Sequence, residues 1–291
     1  KRVALVTGGM GGLGTALCRR LHDAGFAVAL TYSPSNTTPE AWLAAQRDEG
    51  YRFNAYKLDV TDHDACAATV AQVLAELGRV DVLVNNAGVL KTMPLAETSD
   101  ALFENTFGIN VQGTFNTLRE AAREHDLIIT SGGVSVGEED HVKPAVEAEG
   151  QLNMWQIAVK PGKPLAFGQV RRGEGGGSSF FIGLPGNPVS SFITFLLFVR
   201  PFLLRLQGVA GPVEPRAYQM RADFSLPKAD RRNEFLRVRV NAGGGLELFS
   251  NQGSGVLTST VWGDGLVDNP PGRVINEGDI VRFIPFAELQ Y

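Results

Sequence analysis

Short apolar, β-branched runs alternate with segments of helical periodicity through the first 126 residues of the chain. The runs predict four strands, at residues 3–6, 27–31, 52–58 and 80–84. Apolar residues three to four positions apart predict the intervening and following helices, at 13–24, 39–49, 62–77 and about 102–125. This alternation is typical of βαβ units and therefore predicts a parallel sheet with helices on its faces.

The pattern changes after residue 126. Residues 127–130 predict another strand, and a polar segment follows it before a helix that ends near Glu149. Short strands are expected at 157–159 and 164–167, a glycine-rich hairpin tip at 173–179, and a buried strand at 180–183. A long apolar helix is expected from 189 to 206.

A linker rich in Gly and Pro near residues 208–215 precedes short strands at 217–223, 235–241, 245–249 and 279–285. The fold class that we expect is α/β, a doubly wound, mostly parallel sheet followed by a small all-β domain. A Rossmann-like part, 1–124, and a second part, 125–210, form one composite domain in this prediction, and 211–291 form the β domain. The strand at 127–130 is expected to pair beside the fourth strand, so that one sheet runs through both parts.

Composition adds few constraints, since 44% hydrophobic and 20% charged residues are ordinary for a globular chain. The formal net charge is −4, with 11 basic and 15 acidic residues up to Asp126 and 16 of each after it. Neither half therefore predicts a nucleic-acid partner.

The cysteines and the apolar segments bear on location. Cys18 and Cys66 lie far apart and predict reduced thiols. Polar residues and Pro201 interrupt the apolar stretch 189–206, which favours a buried helix over a membrane span. The chain enters its first strand without a signal-like segment, so we expect a cytoplasmic protein with no membrane partner.

A glycine-rich turn, Thr7-Gly8-Gly9-Met10-Gly11-Gly12-Leu13-Gly14, joins the first strand to the first helix. Such a turn lets backbone amides approach a pyrophosphate, and the helix N-terminus favours its negative charge. Gly8, Gly12 and Gly14 suit that role. A tight structural turn without a ligand is the alternative interpretation of the same spacing.

Three further motifs follow the turn, namely Leu58-Asp59-Val60, Asn85-Asn86-Ala87-Gly88 and a helical Asn110. In this order, residues 1–124 resemble the short-chain dehydrogenase/reductase family. The resemblance implies a dinucleotide site at Gly8, Gly12, Leu13, Gly14, Asp59, Val60, Asn86, Ala87 and Gly88. The second strand ends in Leu30-Thr31-Tyr32-Ser33 without an acidic residue for a free ribose 2′-hydroxyl, which favours NADP over NAD, although no arginine is obviously placed for the 2′-phosphate.

Hydride transfer in that family uses a tyrosine with a lysine four residues later. None of the tyrosines has a lysine at that position, and they are Tyr32, Tyr51, Tyr56, Tyr218 and Tyr291. A reductase site is therefore incomplete in this chain by the family's own pattern.

Residues 125–291 carry a different set of motifs. They are Leu127-Ile128-Ile129-Thr130-Ser131-Gly132-Gly133-Val134-Ser135-Val136-Gly137, Lys160-Pro161-Gly162-Lys163, Leu184-Pro185-Gly186-Asn187-Pro188 and Asn251-Gln252-Gly253-Ser254-Gly255. Together they resemble the C-terminal part of molybdopterin molybdenumtransferase, which implies molybdopterin as a ligand.

Backbone amides in 131–137 can form a concavity for an anion, and Lys160 and Lys163 offer positive charge for phosphate. The expected ligand residues are Ser131, Gly132, Gly133, Ser135, Gly137, Lys160, Lys163, Pro185, Gly186, Asn187 and Pro188. Asp140 and Ser131 are the candidate catalytic residues, and Asp140 would need a cation such as Mg²⁺, or a proton, to contact the ligand. The protein itself is expected to hold no metal site. The alternative is that the glycines only form turns, Asp140 caps a helix and the lysines are solvated.

The two resemblances meet within residues 118–126, where each family has a helix running into a central strand. We therefore expect a chimera that is engineered, recombined or assembled from two sources. Three functions stay open: a binding module with incomplete catalysis, which we favour, a molybdopterin transferase, and an NADP-dependent oxidoreductase. Small molecules are the expected partners, and a homodimer is left open.

Overall fold

The structure is a computed structural model that describes residues 1–122, 125–131, 146–148, 150–172 and 176–289. Its contacts divide the chain into two compact units. The first unit comprises Lys1–Asp126 with Arg172–Gly176, and the second comprises Leu127–Arg171 with Gly177–Tyr291. The composite domain 1–210 and its boundary near residue 210 stay a prediction.

The first unit contains a four-stranded parallel sheet in the order β3-β2-β1-β4. Its strands are β1 (Val3–Val6), β2 (Ala27–Tyr32), β3 (Phe53–Lys57) and β4 (Val82–Val84). The helices between them are α1 (Gly12–Asp23), α2 (Pro39–Asp48) and α3 (His63–Leu77). All four residues of β1 are buried, as expected for a parallel strand covered on both faces.

A long helix follows a short 3₁₀ turn, Leu95–Glu97. It consists of α4 (Asp100–Phe107), a π-helical segment (Gly108–Gly113) and α5 (Thr114–Ala122). Ser99 caps its start by accepting a hydrogen bond from the Leu102 amide. The periodicity correctly indicated a helix here, but it did not indicate the π-helical segment.

The second unit begins with a four-stranded sheet in the order β5-β9-β8-β6. Its strands are β5 (Leu127–Ser131), β6 (Gly150–Gln156), β8 (Pro164–Arg171) and β9 (Ser178–Leu184), and β7 (Val159–Lys160) pairs elsewhere. The expectation that the strand at 127–130 pairs with the fourth strand is wrong. β5 instead forms five parallel pairs with β9, because the buried, apolar β9 needs a neighbour on this edge.

A second, mostly antiparallel sheet completes this unit in the order β10-β14-β13-β11-β12. Its strands are β10 (Tyr218–Arg221), β11 (Asn233–Val240), β12 (Leu246–Leu248), β13 (Gly265–Asn269) and β14 (Ile280–Pro285). A short helix, α8 (Thr258–Trp262), precedes β13. The expected α/β class with a small C-terminal β region is thus confirmed.

One long helix connects the two sheets of this unit. It runs as α6 (Pro188–Thr194), a π-helical segment (Phe195–Val199) and α7 (Arg200–Leu206). By length and composition alone it is the one helix of the described residues that could cross a membrane. Val189, Ile193 and Leu196 are buried in a cluster with Phe235 and Leu266 of the β region, which is the packing of a core helix. Its other face is partly exposed, so it is buried on one side only.

Candidate functional sites

The glycine turn between β1 and α1 depends on very close backbone approaches. Gly8 adopts a φ of +63°, and a Cβ atom there would lie 2.9 Å from the Cα atom of Ala87. A Cβ atom on Gly14 would lie 2.4 Å from the carbonyl oxygen of Gly8. Larger residues at either position would force the turn apart.

Gly12 differs from these two glycines. A Cβ atom there would meet no protein atom within 4 Å, so internal packing does not require glycine at this position. Gly12 is the first residue of α1, and Gly11, its N-cap, has no side chain to cap the helix amides. The side chain of Leu13 is 69% exposed beside them. The turn therefore presents an open helix N-terminus, which is a favourable place for an anion.

A pair of residues holds this turn against the end of β4. The side-chain amide of Asn86 donates to the carbonyl oxygens of Thr7 and Gly8, both at 3.1 Å. The hydroxyl of Thr7 accepts from the backbone amides of Asn86 and Ala87, both at 3.0 Å. Asn86 and Ala87 are thus structural supports of the turn as well as predicted ligand residues.

Asp59 and Val60, both predicted ligand residues, differ in their surroundings. Asp59 follows β3 and is exposed, and its carboxylate accepts from the amide and hydroxyl of Thr61 at 3.0 and 2.7 Å. Val60 is 7% exposed, and a Cβ atom on Gly113 would lie 2.5 Å from its Cγ2. The carboxylate is available to a ligand at the carboxyl edge of the sheet, whereas the Val60 side chain belongs to the core.

The π-helical segment anchors the loop after β4. The side chain of Asn110 donates to the Val89 carbonyl oxygen at 2.9 Å and accepts from the Val89 amide at 2.8 Å. Gly88 lies against Asn110, since a Cβ atom there would be 3.3 Å from its Oδ1. Asn110 therefore orders the exposed backbone at Gly88 and Val89.

Sequence reasoning missed two buried polar residues of α5. Asn116 donates its side-chain amide to the carbonyl oxygens of Val60 and Thr61 at 3.1 and 3.2 Å. The Thr117 hydroxyl lies 2.5 Å from Oδ1 of Asn85. Both side chains are under 5% exposed. Two adjacent polar residues inside an apolar helical repeat were the available signal.

The loop after β2 has hydroxyl and amide groups where an acidic residue would select a free ribose. The hydroxyls of Ser33 and Ser35 are 2.8 Å apart, and the amide of Ser35 donates to Ser33 Oγ at 3.2 Å. Asn36 accepts from the Thr38 amide at 2.9 Å. These groups carry no charge, so they do not repel a phosphate.

Two tyrosines are hydrogen-bonded to carboxylates. The Tyr56 hydroxyl donates to Glu76 at 2.7 Å, and burial followed by this contact raises the pKa of Tyr56 to about 12. Tyr218 donates to Glu288 at 2.9 Å, and this bond raises its pKa as well. A tyrosine that acts as an acid in hydride transfer needs a shift in the opposite direction.

The second site gathers around the carboxyl ends of β5 and β9. Ser131 ends β5 in register with Leu184 of β9. Its hydroxyl donates to the carbonyl oxygen of Pro185 at 3.2 Å and lies 3.1 Å from the hydroxyl of Ser191, which also donates to Pro185. The structure therefore brings Ser131 together with the Pro185–Pro188 turn, two segments that the sequence predicted to share a site.

That turn leads directly into α6. Pro185 is buried, whereas Gly186, Asn187 and Pro188 are exposed. Asn187 is the N-cap and makes no side-chain cap, and the amide of Val189 donates to the carbonyl oxygen of Ser254 at 3.1 Å. The loop that contains Ser254 in the β region thus lies beside the turn.

The two predicted phosphate lysines have different surroundings. Nζ of Lys160 lies 2.8 Å from Glu234 and 3.2 Å from Asp230, and these carboxylates, Glu234 first, raise the pKa of Lys160. Lys163 is exposed and lines a groove on the surface of this unit. The bend between them packs tightly, since a Cβ atom on Gly162 would lie 2.5 Å from Thr194.

Arg237 is a functional candidate that sequence reasoning did not identify. It is 1% exposed, and its guanidinium donates to Ser259 Oγ at 3.1 Å and to the Gly253 carbonyl oxygen at 3.2 Å. Burial lowers its pKa to about 10. An arginine within the apolar run of β11 was the sequence signal, and its contacts organise the loop that contains Ser254.

Several predicted site residues, Gly132, Gly133, Ser135, Gly137 and the candidate catalytic Asp140, lie outside the described residues. Within the described ranges, no three His, Cys, Asp or Glu side chains group as a metal site would require.

Three known protein families match this chain, one in its first part and two in its second part. The short chain dehydrogenase family matches residues 2–135, a probable molybdopterin binding domain matches 108–205, and the MoeA C-terminal region (domain IV) matches 219–286. Two enzyme families thus match different parts of the chain. The first two matches overlap at 108–135, which contains the predicted junction. Residues 1–124 are called the dehydrogenase-like segment below, and 125–291 the transferase-like segment.

Two similar proteins each match one of these segments. Molybdopterin molybdenumtransferase of Haemophilus influenzae is 39% identical over 175 residues, which are 58% of this chain and 42% of that protein. Acetoacetyl-CoA reductase of Cupriavidus necator is 37% identical over 120 residues, which are 41% of this chain and 49% of that protein. The chain thus spans half or less of the length of these relatives.

Solved structures match the dehydrogenase-like segment. A blue fluorescent protein from a metagenomic library in complex with NADPH is 36% identical, with a TM-score of 0.40, over 45% of this chain and 55% of that one. A dehydrogenase/reductase from Sinorhizobium meliloti is 33% identical, with a TM-score of 0.41, over 47% and 56%. These alignments cover less than half of this chain.

Proposed function

We propose that the dehydrogenase-like segment binds an NADP-type dinucleotide, that the transferase-like segment binds molybdopterin, and that the chain completes neither family's reaction. The chain would then be a cytoplasmic binding protein for small molecules, with no nucleic-acid or membrane partner. The main support is a difference between two glycines of the turn: packing requires glycine at position 14 but not at position 12.

Glycine at position 12 has a physical reason if a ligand occupies the open space above it. A pyrophosphate would accept from amides at the start of α1, between Gly12 and Gly14. Asp59 would accept from an adenine amino group, and Gly88, ordered by Asn110, would line the nicotinamide side. Ser33 and Ser35 offer hydroxyls to a 2′-phosphate, and the lack of a carboxylate there supports NADP over NAD.

The proposal of incomplete catalysis rests on the proton donor. Hydride transfer to a carbonyl needs an acid, and a positioned one contributes about 10²- to 10⁴-fold. Tyr56 and Tyr218 both donate to carboxylates, and their pKa values are raised, that of Tyr56 by burial and then by Glu76 and that of Tyr218 by Glu288. Neither is suited to give up a proton near neutral pH.

For molybdopterin, the support is the meeting of Ser131, the Pro185–Pro188 turn and the Ser254 loop in one unit. The turn places an open helix start and the hydroxyls of Ser131 and Ser191 at one sheet edge. Asp140 and Ser131 stay the proposed chemical residues, with Mg²⁺ as the cation that would allow Asp140 to contact a phosphate or oxyanion.

The test is a fluorescence titration of the full chain with NADPH, followed by addition of acetoacetyl-CoA. Saturable binding without NADPH oxidation is expected. Carbonyl-dependent oxidation would instead establish the alternative, an NADP-dependent short-chain oxidoreductase. When the chain is expressed in a host that produces molybdopterin, the purified protein should carry pterin. A purified protein without pterin would contradict the proposal that the transferase-like segment binds molybdopterin.

A homodimer through α4 and α5 is part of this proposal. Large apolar side chains form an exposed stripe along one helix face, at Phe103, Phe107, Val111 and Phe115. Antiparallel pairing of two such helices would match the stripes and bring Arg119 beside Asp100 of the partner subunit. Light scattering should give twice the chain mass, and Phe107→Glu should reduce it to one chain. A wild-type monomer at tens of micromolar would exclude the dimer.

A further inference from the structure

The loop that follows β3 contains Asp59 and extends along the carboxyl edge of the first sheet. β3 and β4 lie at opposite ends of this sheet with β2 and β1 between them, a separation of three strand spacings or about 14 Å. Val60 nevertheless belongs to a buried cluster against which Ala87, after β4, and Ile109, in the π-helical segment, pack. The position of this loop is therefore set by contacts beyond its own strand.

Asn116 of α5 supplies two of these contacts. Its side-chain amide donates to the carbonyl oxygens of Val60 and Thr61 at 3.1 and 3.2 Å, and the residue is only 4% exposed. One amide group thus holds two consecutive residues of the loop. Gly113, three residues earlier, allows the helix to come this close, since a Cβ atom there would lie 2.5 Å from Cγ2 of Val60.

Hydrogen bonds continue from Thr61 to Asp59. The Asp59 carboxylate accepts from the amide and the hydroxyl of Thr61 at 3.0 and 2.7 Å. The residue whose carbonyl oxygen is held by Asn116 therefore also orients the carboxylate. Asp59 itself is exposed, and an exposed side chain normally loses conformational freedom when it binds a ligand. Holding the carboxylate in one orientation beforehand reduces that cost.

We propose that Asn116 is a positioning residue for the adenine end of the dinucleotide. It holds Thr61, and through Thr61 it holds the carboxylate of Asp59 where that group would accept from the adenine amino group. This inference rests on the proposed dinucleotide binding and adds to it a residue that does not touch the ligand. The adjacent Thr117 has a different role, because its hydroxyl lies 2.5 Å from Oδ1 of Asn85 at the end of β4.

The experiment uses the full chain, NADPH, and adenosine 2′-phosphate, which contains only the adenine end of NADPH. Asn116→Leu keeps the size of the side chain and removes both donated hydrogen bonds. It should weaken the binding of adenosine 2′-phosphate about tenfold, because the loop is no longer held. The affinity is measured by displacement of fluorescent NADPH and corrected for the NADPH affinity of each variant. Asn105→Leu, at an exposed position of α4, is the matched control and should bind as the wild type does.

Thr117→Val tests whether any buried polar change in α5 has the same effect. It removes the hydroxyl beside Asn85 and should leave the affinity for adenosine 2′-phosphate unchanged. Urea denaturation shows whether each variant is folded. If Asn116→Leu is not, Asn116→Ser takes its place, because a serine hydroxyl is too short to reach both carbonyl oxygens.

Two results would overturn the positioning role while the proposed function stands. One is wild-type affinity of the Asn116 variant for adenosine 2′-phosphate. The other is an equal loss of affinity in the Asn116 and Thr117 variants, since the loss would then come from a general loosening of α5. A wild-type chain that binds neither NADPH nor adenosine 2′-phosphate would overturn the dinucleotide function itself, and the inference with it.

Discussion

Asn86 donates two hydrogen bonds to Thr7: its side-chain amide donates to the Thr7 carbonyl oxygen at 3.1 Å, and its backbone amide donates to the Thr7 hydroxyl at 3.0 Å. An aspartate at position 86 would face two carbonyl oxygens without a donor. We expect Asn86→Asp to lower the free energy of unfolding by about 1–3 kcal/mol and to weaken NADPH binding.

Urea denaturation and NADPH fluorescence measure these two effects. Asn105→Asp, on the exposed surface of α4, is the matched control and should change neither. Wild-type stability in Asn86→Asp would contradict the assigned role of the amide.

The two glycines of the turn should respond differently to alanine. Gly14→Ala places a methyl group within 2.4 Å of a carbonyl oxygen and should cost about 1–3 kcal/mol of stability. Gly12→Ala meets open space and should leave the melting temperature unchanged or raise it slightly, because alanine favours a helix.

NADPH binding distinguishes the ligand role from the packing role. Gly12→Ala should weaken NADPH binding at least tenfold although the protein stays folded. If its affinity equals that of the wild type, the turn is only a structural connection.

Lys160 and Lys163 make a second informative pair. Glu234 is 3% exposed, and Lys160→Gln would leave its charge without a partner at 2.8 Å. Because Lys160 itself is 42% exposed, we expect a moderate loss of about 1–3 kcal/mol. Lys163→Gln removes an exposed charge and should not change the urea midpoint. Equal midpoints for both variants would contradict the structural role given to Lys160.

The β region should lose stability in acid. Hydrogen bonds from Arg221, and then from Asn241, lower the pKa of Asp223 to about 2, and Arg232 likewise holds the pKa of Asp230 below its usual value. A lowered pKa in the folded state means that this stabilisation is present above about pH 4, where unfolded aspartate titrates, and is lost as the pH falls toward 2.

Urea midpoints measured between pH 5 and pH 2.5 test this dependence. Asp223→Asn should flatten part of the decline, whereas Asp48→Asn, an exposed aspartate in α2, should not. A midpoint that is constant over this range would show that the ion pairs add nothing to stability.

Both thiols of the chain should be unreactive in the folded protein. Burial raises the pKa of Cys18 to about 12 and that of Cys66 to about 11, and both side chains are fully buried. Ellman's reagent at pH 8 should therefore react only slowly with the native protein. In urea, which unfolds the protein, it should react with both thiols. Both thiols lie in the first unit, so the reaction reports the unfolding of that unit. Rapid native labelling would contradict the burial.

β1 and β2 were predictable because they are buried along most of their length and read as nearly continuous apolar runs. Residues 3–6 were placed without error, and β2 and β3 within one residue at each end. The neighbour of β5 was not predictable, since an apolar strand such as Leu127–Ser131 fits beside any buried strand. β13 was missed because Gly265 and Asn269 weaken its strand pattern.

Residues in local turns could be selected as site candidates from the sequence, whereas contacts between distant segments could not be predicted. Motif spacing selected Gly8, Gly14, Asn86 and Ser131 as candidates because each lies at the end of a strand or in the turn that follows it, and the ligand role of each stays a prediction. Motif spacing could not predict that Lys160 is paired with carboxylates, because its partners Asp230 and Glu234 lie some 70 residues later in the chain. Contacts over such distances in sequence appear only once the strands are paired.

β4 contributes three residues to the end of the first sheet, and among the described residues it pairs only with β1. Its outer row of amide and carbonyl groups is a template on which a foreign strand can add. Concentrated refolding mixtures should therefore accumulate intermolecular aggregates through Val82–Val84.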